Sequence, residues 1–313
     1  MPLVSIIIVN WNTRDLLRNC LKSIEQQTDW PHEVIVIDNC SADRSAEMAG
    51  IEFPQVQVVA NTGNRGFAAA NNQGIAISKG QYVLLLNPDT IILDHAIDKM
   101  AAWLAEHKDV GCVGCQVLED ANTIQQTCFA DPTPLNQIII EAGGLKLARY
   151  LKFLGRPWYC EWDRRSTKDV DVVSGMFMLM PRKAIDEAGE LDEAFFVYAE
   201  EADLCRRIRA LGWRCVFVPI AQILHLDGGS KSTAQIRSRM HVQMHKSHMI
   251  YAGKHHGRPA HILLRCFYVM SSLARLAVGR VCGVFAPSPE NMARNRLSLA
   301  ALRFHLCGEE PKS

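Results

Sequence analysis

Leu3-Val4-Ser5-Ile6-Ile7-Ile8-Val9, followed at once by Asn10-Trp11-Asn12, is the stretch on which the reading of the fold turns. A continuous apolar, β-branched run of this length has no polar face to offer water, so it reads as a strand buried on both sides. The polar Asn-Trp-Asn ends it. Thr13 then stands as the N-cap of a helix over Arg14–Gln27, with Leu16, Leu17, Cys20, Leu21 and Ile24 at helical spacing. The same alternation continues outward. Glu33–Ile37 is a second buried strand closed by Asp38-Asn39-Cys40-Ser41, and a helix follows around Ala42–Ala49. Val56–Val59 is a third strand, Asn61–Gly66 a Gly/Asn turn, Phe67–Ser78 a helix, and Tyr82–Leu86 a fourth strand broken by Asn87-Pro88-Asp89. Strands and helices in strict alternation build a mostly parallel sheet with helices on its faces. Ligands of such sheets bind at the carboxyl ends of the strands. Three polar turns fall there: Asn10–Asn12, Asp38–Ser41 and Asn87–Asp89.

Beyond this half the pattern predicts a helix over Ile91–His107 and a strand around Gly111-Cys112-Val113-Gly114-Cys115. Periodicity weakens over residues 117–169, which read as irregular or inserted structure. Val170–Met180 follows as a strand, Pro181–Ala188 and Glu200–Leu211 as helices, and Cys215–Pro219 and Gln222–His225 as two short strands. After Gly228-Gly229-Ser230 the chain turns helical, basic and His-rich. The boundaries expected are therefore a catalytic domain over 1–232, with a nucleotide-binding half to 110 and an acceptor and metal half from 111 to 232, and a helical extension over 233–313.

The whole chain carries a net charge of +1, which gives no field for nucleic acid. The extension alone has 12 Lys and Arg against 3 Asp and Glu, leaving −8 for residues 1–232. The 11 cysteines show no disulfide framework, and Cys112-x-x-Cys115 has no second pair at zinc-ribbon spacing. They read as small buried hydrophobes in a reducing cytoplasm. The first strand follows Pro2 directly, where a signal peptide would need its apolar core. Ile262–Phe285 is interrupted by Arg265, Arg275 and Arg280 and is not expected to span a bilayer. On a helical wheel those three arginines share an arc of about 140°, opposite Leu263, Phe267, Met270, Ala274, Val278, Val281 and Phe285. Such a segment lies in a membrane interface over anionic headgroups, packs on the catalytic body, or closes a homodimer.

Several polar residues stand where chemistry is expected. Asp38, at a strand end, is placed to accept from a pyrimidine N3–H. Asp89, after a buried strand, is a carboxylate suited to Mg2+ or Mn2+ beside a diphosphate. Glu200, Glu201 and Asp203 open a helix, as general-base candidates or as carboxylates that suit the helix dipole. His225 is a metal ligand or a core histidine. No Gly-rich loop follows Val9, which argues against a nucleotidyltransferase or a dinucleotide dehydrogenase.

In order along the chain, Val4–Asn12, Val34–Asp43, Asn61-Thr62-Gly63-Asn64-Arg65-Gly66-Phe67-Ala68-Ala69-Ala70-Asn71-Asn72, Leu85–Asp89, Val173-Ser174-Gly175, Phe195–Leu204 and His225–Ser230 resemble family 2 glycosyltransferases. The likeness extends to bacterial rhamnosyltransferase-like members that build cell-surface polysaccharide. The resemblance implies an α/β GT-A fold: a Rossmann-like, mostly parallel sheet with flanking helices, here with a C-terminal helical extension. It implies an inverting transferase that moves a sugar from a nucleotide-sugar donor to a glycan or polyprenyl-linked hydroxyl, with a divalent metal. The implied donor is dTDP-L-rhamnose, with a UDP-hexose as competitor; a non-catalytic sugar-nucleotide-binding scaffold is the second alternative. By the same resemblance Asp38 reads the base, with Asn10 and Asn12 lining its pocket, and Arg65 faces the diphosphate or base. Asn87-Pro88-Asp89 stands where the family has its D-x-D-type motif, so only Asp89 remains as a carboxylate ligand, with His225 able to complete the metal shell. Glu201 takes the place of the family's catalytic Asp, supported by Glu200 and Asp203. Gly175 lets backbone approach the donor sugar, where the sequence alone equally allows a β-bulge. The expected location is the cytoplasm, on the inner face of the cytoplasmic membrane through residues 260–286.

Overall fold

The computed structural model describes residues 3–120, 122–147, 150–226, 237–285 and 288–310. Asp227 to Ser230, the start of the extension at 233–236, and residue 286 lie outside the described residues. The chain divides into two compact units. The first comprises 1–131, 161–196 and 200–232; the second comprises 132–160, 197–199 and 233–313.

The first unit is built on β1 (Val4–Asn10), every residue of which is buried. It pairs in parallel with β2 (His32–Asp38) on one side and β4 (Tyr82–Leu86) on the other. β3 (Gln57–Ala60) adds in parallel to β2. The alternation of the strand sends Val4, Ile6 and Ile8 to one face, against Leu17, Leu21 and Ile24 of α1 (Arg14–Gln27) and Met48 of α2 (Ser45–Glu52). Val9 packs on the other face with Ile35, Ile37 and Ala70 of α3 (Phe67–Ile77). The approach of α3 depends on a glycine: a Cβ on Gly74 would stand 2.4 Å from Ile7 Cγ2. Helices thus cover both faces, as two-sided burial requires.

The sheet is mixed rather than all parallel. With β5 (Thr90–Ile92), β6 (Val110–Leu118), β8 (Phe177–Pro181) and β9 (Arg214–His225), its order is β3-β2-β1-β4-β8-β6-β9-β5, and β7 (Lys168–Asp169) pairs with β9. β8 runs antiparallel between β4 and β6, and β5 antiparallel to β9. The chain leaves β1 towards β2 and β3 and then crosses to β4 on the opposite side. In open sheets of this kind such a reversal marks where ligands bind, here the carboxyl ends of β1 and β4.

Several expectations change here. Residues 90–92 pair as a strand, which suits the β-branched Thr90-Ile91-Ile92, and the helix expected from Ile91 begins later as α4 (Ala96–Glu106). The strand expected over Val170–Met180 is interrupted: Val172 makes one bridge to Phe129, Gly175 lies in a turn, and β8 starts at Phe177. The two short strands expected from Cys215 are one strand whose register to β6 slips, Cys115 pairing Val218 and Gln116 pairing Gln222. Thr13 does not cap α1 through its side chain. Its hydroxyl donates instead to Asn10 Oδ1 at 2.6 Å. The remaining helices of this unit are α6 (Arg182–Ala188) and α7 (Glu200–Ala210).

The second unit contains α5 (Pro134–Glu141), 3-10 turns at Gly144–Leu147 and Lys152–Trp158, α8 (Arg237–Phe285) and α9 (Pro289–Cys307). α5 forms within the stretch expected to be irregular, and its start has a local cause: Thr133 accepts from Asn136 N, and Pro134 opens the helix. α8 is broken at Gly257, whose φ of 81° ends the first helical stretch, with Pro259 just beyond. Leu264, Tyr268 and Ser272 form its buried stripe, while Leu263, Met270, Val278 and Val281 are exposed. Of the apolar arc drawn from the sequence, Phe267 packs inward instead. Arg275 pairs with Glu141 at 2.7 Å, and Arg265 donates to the His305 carbonyl. Arg265 and Arg275 are ten residues apart, so a window of mean hydropathy 1.5 with no more than two charges does fit in α8. By length and composition alone the helix could cross a membrane, contrary to the sequence expectation.

The core of this unit holds histidines. His245 Nδ1 lies 3.0 Å from His305 Nε2, and His245 stacks on Tyr268 at 3.9 Å. Burial pushes His245 down to about 2, and His248 and His305 to about 4. All three are therefore neutral in the folded chain, below an ordinary value of 6.5. Depressed folded values mean that stability is intact above pH 6.5 and is lost as pH falls through the window between 6.5 and 4. Thermal melts followed by far-ultraviolet circular dichroism from pH 7.5 to 4.5 should show the melting temperature dropping steeply across that range.

Candidate active site

The carboxyl ends of β1 and β2 are locked to each other. Asn10 and Asp38 are register partners, and Asn10 Nδ2 donates to Asp38 Oδ1 at 2.8 Å and to Ser41 Oγ at 3.1 Å. Ser41 N donates to Asp38 Oδ2 at 2.9 Å. Asn12, in a left-handed conformation with φ 54°, donates its backbone N–H to Ser41 Oγ and accepts from Ala42 N. Asp38 is buried, and each of its oxygens has one fixed donor. A carboxylate oxygen carries two lone pairs, so acceptor capacity remains for a ligand N–H.

Asn39 organises the neighbouring turn. Its Oδ1 accepts from Arg65 N and Asn61 Nδ2, and its Nδ2 donates to Gly66 O. Arg65 is thereby held by its backbone while its side chain is exposed. Gly66, at φ 87°, leaves no room for a side chain: a Cβ would sit 2.5 Å from Phe196 O, which accepts from Phe67 N at 2.6 Å.

At the end of β4, Asn87 N donates to Met176 O, joining it to the turn that contains Gly175. A Cβ on Gly175 would meet only the Phe67 ring at 3.6 Å, an ordinary contact. Asp89 and His225 come together across the β5–β9 pair, His225 Nε2 lying 3.1 Å from Asp89 Oδ2. His225 Nδ1 lies 3.0 Å from Gln125 Oε1 and donates to it, so Nε2 is the ring nitrogen turned to Asp89, where a proton or a cation must stand between it and the carboxylate. Both side chains are buried, and Asp89 Oδ1 has no hydrogen-bond partner among the described residues. A buried carboxylate oxygen without a donor beside an imidazole nitrogen with its outer nitrogen fixed is a donor set that fits a divalent cation. Gln125 was invisible to sequence reading because it lies in the stretch without periodicity.

α7 carries the acidic cluster. Asp203 is fully buried and pairs with Arg207 Nε at 2.8 Å. Arg207 also donates to the carbonyls of Ala188, Gly189 and Glu190, so it ties the end of α6 to α7. Glu200 is buried, with Oε2 unpartnered among the described residues, whereas Glu201 is half-buried. Desolvation, and next the charge of Glu201, push the Glu200 carboxyl well above the ordinary range.

The family model described as Glycosyl transferase family 2 matches residues 5–188. The chain belongs to this family. Among relatives of this family 2 glycosyltransferase, the N-acetylglucosaminyl-diphospho-decaprenol L-rhamnosyltransferase of Mycobacterium tuberculosis is 24% identical over 266 residues, covering 80% of this chain and 84% of the relative. The uncharacterized protein y4gI of Sinorhizobium fredii is 30% identical over 239 residues, covering 74% of this chain but only 25% of the relative. The O-antigen biosynthesis protein RfbC of Myxococcus xanthus is 25% identical over 247 residues, covering 74% of this chain and 18% of the relative. In fold, the enzyme is similar to the mannosyltransferase PcManGT from Pyrobaculum calidifontis, solved with GDP-Man and Mn2+. That match has a TM-score of 0.55 at 18% identity, and covers 99% of this chain and 88% of the other. GalNAc-T7 with UDP, GalNAc and Mn2+ matches at a TM-score of 0.54 and 16% identity, over 76% of this chain and 48% of the other. These likenesses establish the GT-A fold.

A raised carboxyl costs stability once the unfolded chain ionises. The cost of Glu200 is absent below its ordinary value of 4.5 and grows as pH rises above it. Glu200→Gln should therefore melt higher than the wild type at pH 7, by about 2–4 °C for each kcal/mol relieved, and the difference should vanish near pH 4. Scanning calorimetry at both pH values checks this.

Proposed function

We propose that this glycosyltransferase is an inverting, metal-dependent rhamnosyltransferase that moves L-rhamnose from dTDP-rhamnose onto a hydroxyl of a lipid-linked or growing cell-surface glycan. The observation that carries the metal-dependent reading is the buried Asp89–His225 pair with its unpartnered Asp89 Oδ1. Asp89 and His225 would hold Mg2+ or Mn2+, which supplies positive charge beside the diphosphate as it departs. The rhamnosyl donor is supported by the Mycobacterium relative, whose name specifies L-rhamnose and a decaprenol diphosphate acceptor.

The protein's own groups divide the remaining work. Asp38, held by Asn10 and Ser41, accepts from the N3–H of the base, and Asn12 shapes the same pocket. Uracil and thymine present this N–H alike, so the pocket also supports a UDP-hexose as the second donor reading. Arg65 offers an exposed guanidinium to the diphosphate. Asn87 fixes the Gly175 turn, where nothing in the protein forbids a side chain and the donor sugar would be the reason for its absence. Glu201 takes the proton of the acceptor hydroxyl as its oxygen bonds to C1 and the C1–O bond to the diphosphate breaks on the opposite side. Burial and the nearby charge of Glu201 favour the protonated form of Glu200, which lessens the negative charge beside Glu201, and Asp203 positions α7 through Arg207.

The second unit suits an enzyme of lipid-linked substrates working on the cytoplasmic face of a membrane. Its exposed Leu263, Met270, Val278 and Val281 enter the headgroup region. Arg265 and Arg275, tied to His305 and Glu141, favour a helix lying in the interface over one that crosses it.

Purified protein incubated with dTDP-rhamnose, UDP-glucose, UDP-galactose, UDP-GlcNAc and GDP-mannose, with Mg2+, Mn2+ or EDTA and a polyprenyl diphosphate-sugar acceptor, should release only one nucleotide diphosphate. EDTA should abolish that release. Asp89→Asn and Glu201→Gln should each cut transfer by about 100-fold or more, since each removes a charge matched to the transition state. Wild-type rates in folded Glu201→Gln would remove it as the base. Separately, a Leu263→Ser/Met270→Ser/Val278→Ser variant should lose at least tenfold in cosedimentation with anionic phospholipid vesicles, each apolar side chain contributing about 1.5–3 kcal/mol when fully buried. It should retain transfer to a soluble acceptor analogue; unchanged vesicle binding would favour packing between copies instead.

A further inference from the structure

Cys112 and Cys215 stand side by side in the register of β6 and β9. Cys205 of α7 completes a triangle with them, and the three sulfur atoms lie within 4.8 Å of one another. All three are buried. The grouping does not follow from the sequence spacing that draws the eye. Cys115, three residues along β6, points to the opposite face and packs with Val113 and Val117. Chain topology, not the C-x-x-C pair, assembles the cluster.

We propose that Cys112, Cys205 and Cys215 form a structural site for one thiophilic d10 cation, Zn2+ or Cu+. Thiolates at about 2.3 Å from such an ion stand about 3.8–4.0 Å apart, so a triangle of this size closes by small side-chain rotations. Soft sulfur ligands select these ions over Mg2+ or Mn2+, which keeps the site chemically separate from Asp89 and His225. Each metal–sulfur bond replaces an S–H bond, with the proton released to solvent. The surroundings are prepared for the resulting charge. Val173 N–H points at Cys205 Sγ at 3.5 Å, and the Arg209 guanidinium, anchored by Asp131 at 2.6 Å, acts electrostatically on Cys205 and Cys215. Burial opposes ionisation of Cys205, yet hydrogen bonds from Cys112, Cys215 and Val173 hold it well below the ordinary thiol value, while Cys112 and Cys215 are pushed well above it, so the ion must displace the protons of those two.

The site would act on the enzyme through position. Cys205 lies two residues beyond Asp203 and four beyond Glu201 on α7. An ion there pins the helix that carries the acidic cluster to the two strands beneath it.

Because the site is closed to solvent, loading accompanies folding. The reduced chain is unfolded and refolded with and without one equivalent of Cd2+, a spectroscopically visible probe for sulfur ligation. Bound metal is then read by native mass spectrometry and by ultraviolet sulfur-to-metal charge-transfer absorption. The wild type and Cys115→Ala should each hold one Cd2+ and melt higher with it, while Cys205→Ala and Cys112→Ser should hold none. A wild type that refolds without retaining Cd2+ overturns the proposal. So does a Cys205→Ala protein that keeps the ion or its charge-transfer band. The wild-type result decides even if a variant fails to fold.

Discussion

The hydrogen bond from Asn10 to Asp38 joins the ends of two adjacent parallel strands, and the rest of the site is arranged around it. Register makes the bond possible: the strands pair from Val4 with His32 to Asn10 with Asp38 without a slip. A shift of one residue would turn Asp38 to the opposite face of the sheet, away from Asn10, and leave its charge without that donor. The polar atoms that β1 and β2 leave at their ends are then consumed locally by Thr13, Ser41 and Asn39. The two strand ends are thereby tied to one another and to the turns that follow them by fixed hydrogen bonds.

The other carboxylates of the candidate site come from a different part of the chain and depend on a different logic. Asp89 is placed by β4 and β5, and its partner His225 by the last residue of β9. They meet because β5 pairs antiparallel with β9, an arrangement that brings together residues 136 positions apart. α7 is fixed by an internal clamp, Asp203 to Arg207 and onward to three carbonyls at the end of α6. The carboxylates at the start of α7 therefore sit on a stiff element.

The parallel half was legible from the sequence because its signals are local. Strand runs, turns and helical spacing placed α1 and β4 on their residues, and the others within a few. What stayed hidden depends on pairing between distant segments: the antiparallel insertion of β8, the short β5, and the merging of two expected strands into β9 across a register slip. Gln125 and the three-sulfur cluster fall in the same category. Thr13 shows the converse limit. Its residue type predicts a cap, but a nearer acceptor, Asn10 Oδ1, takes the hydroxyl.

The bond from Phe67 N to the Phe196 carbonyl, with Gly66 pressed against the same residue, sews the turn that carries Arg65 to the segment just ahead of α7. The 61–66 turn cannot shift without either breaking that seam or dragging Phe196 with it. Arg65 and Phe196 are thus held to one another through the backbone. Backbone rather than side chain therefore sets the distance between the two segments, and the 61–66 turn and Phe196 move as one piece.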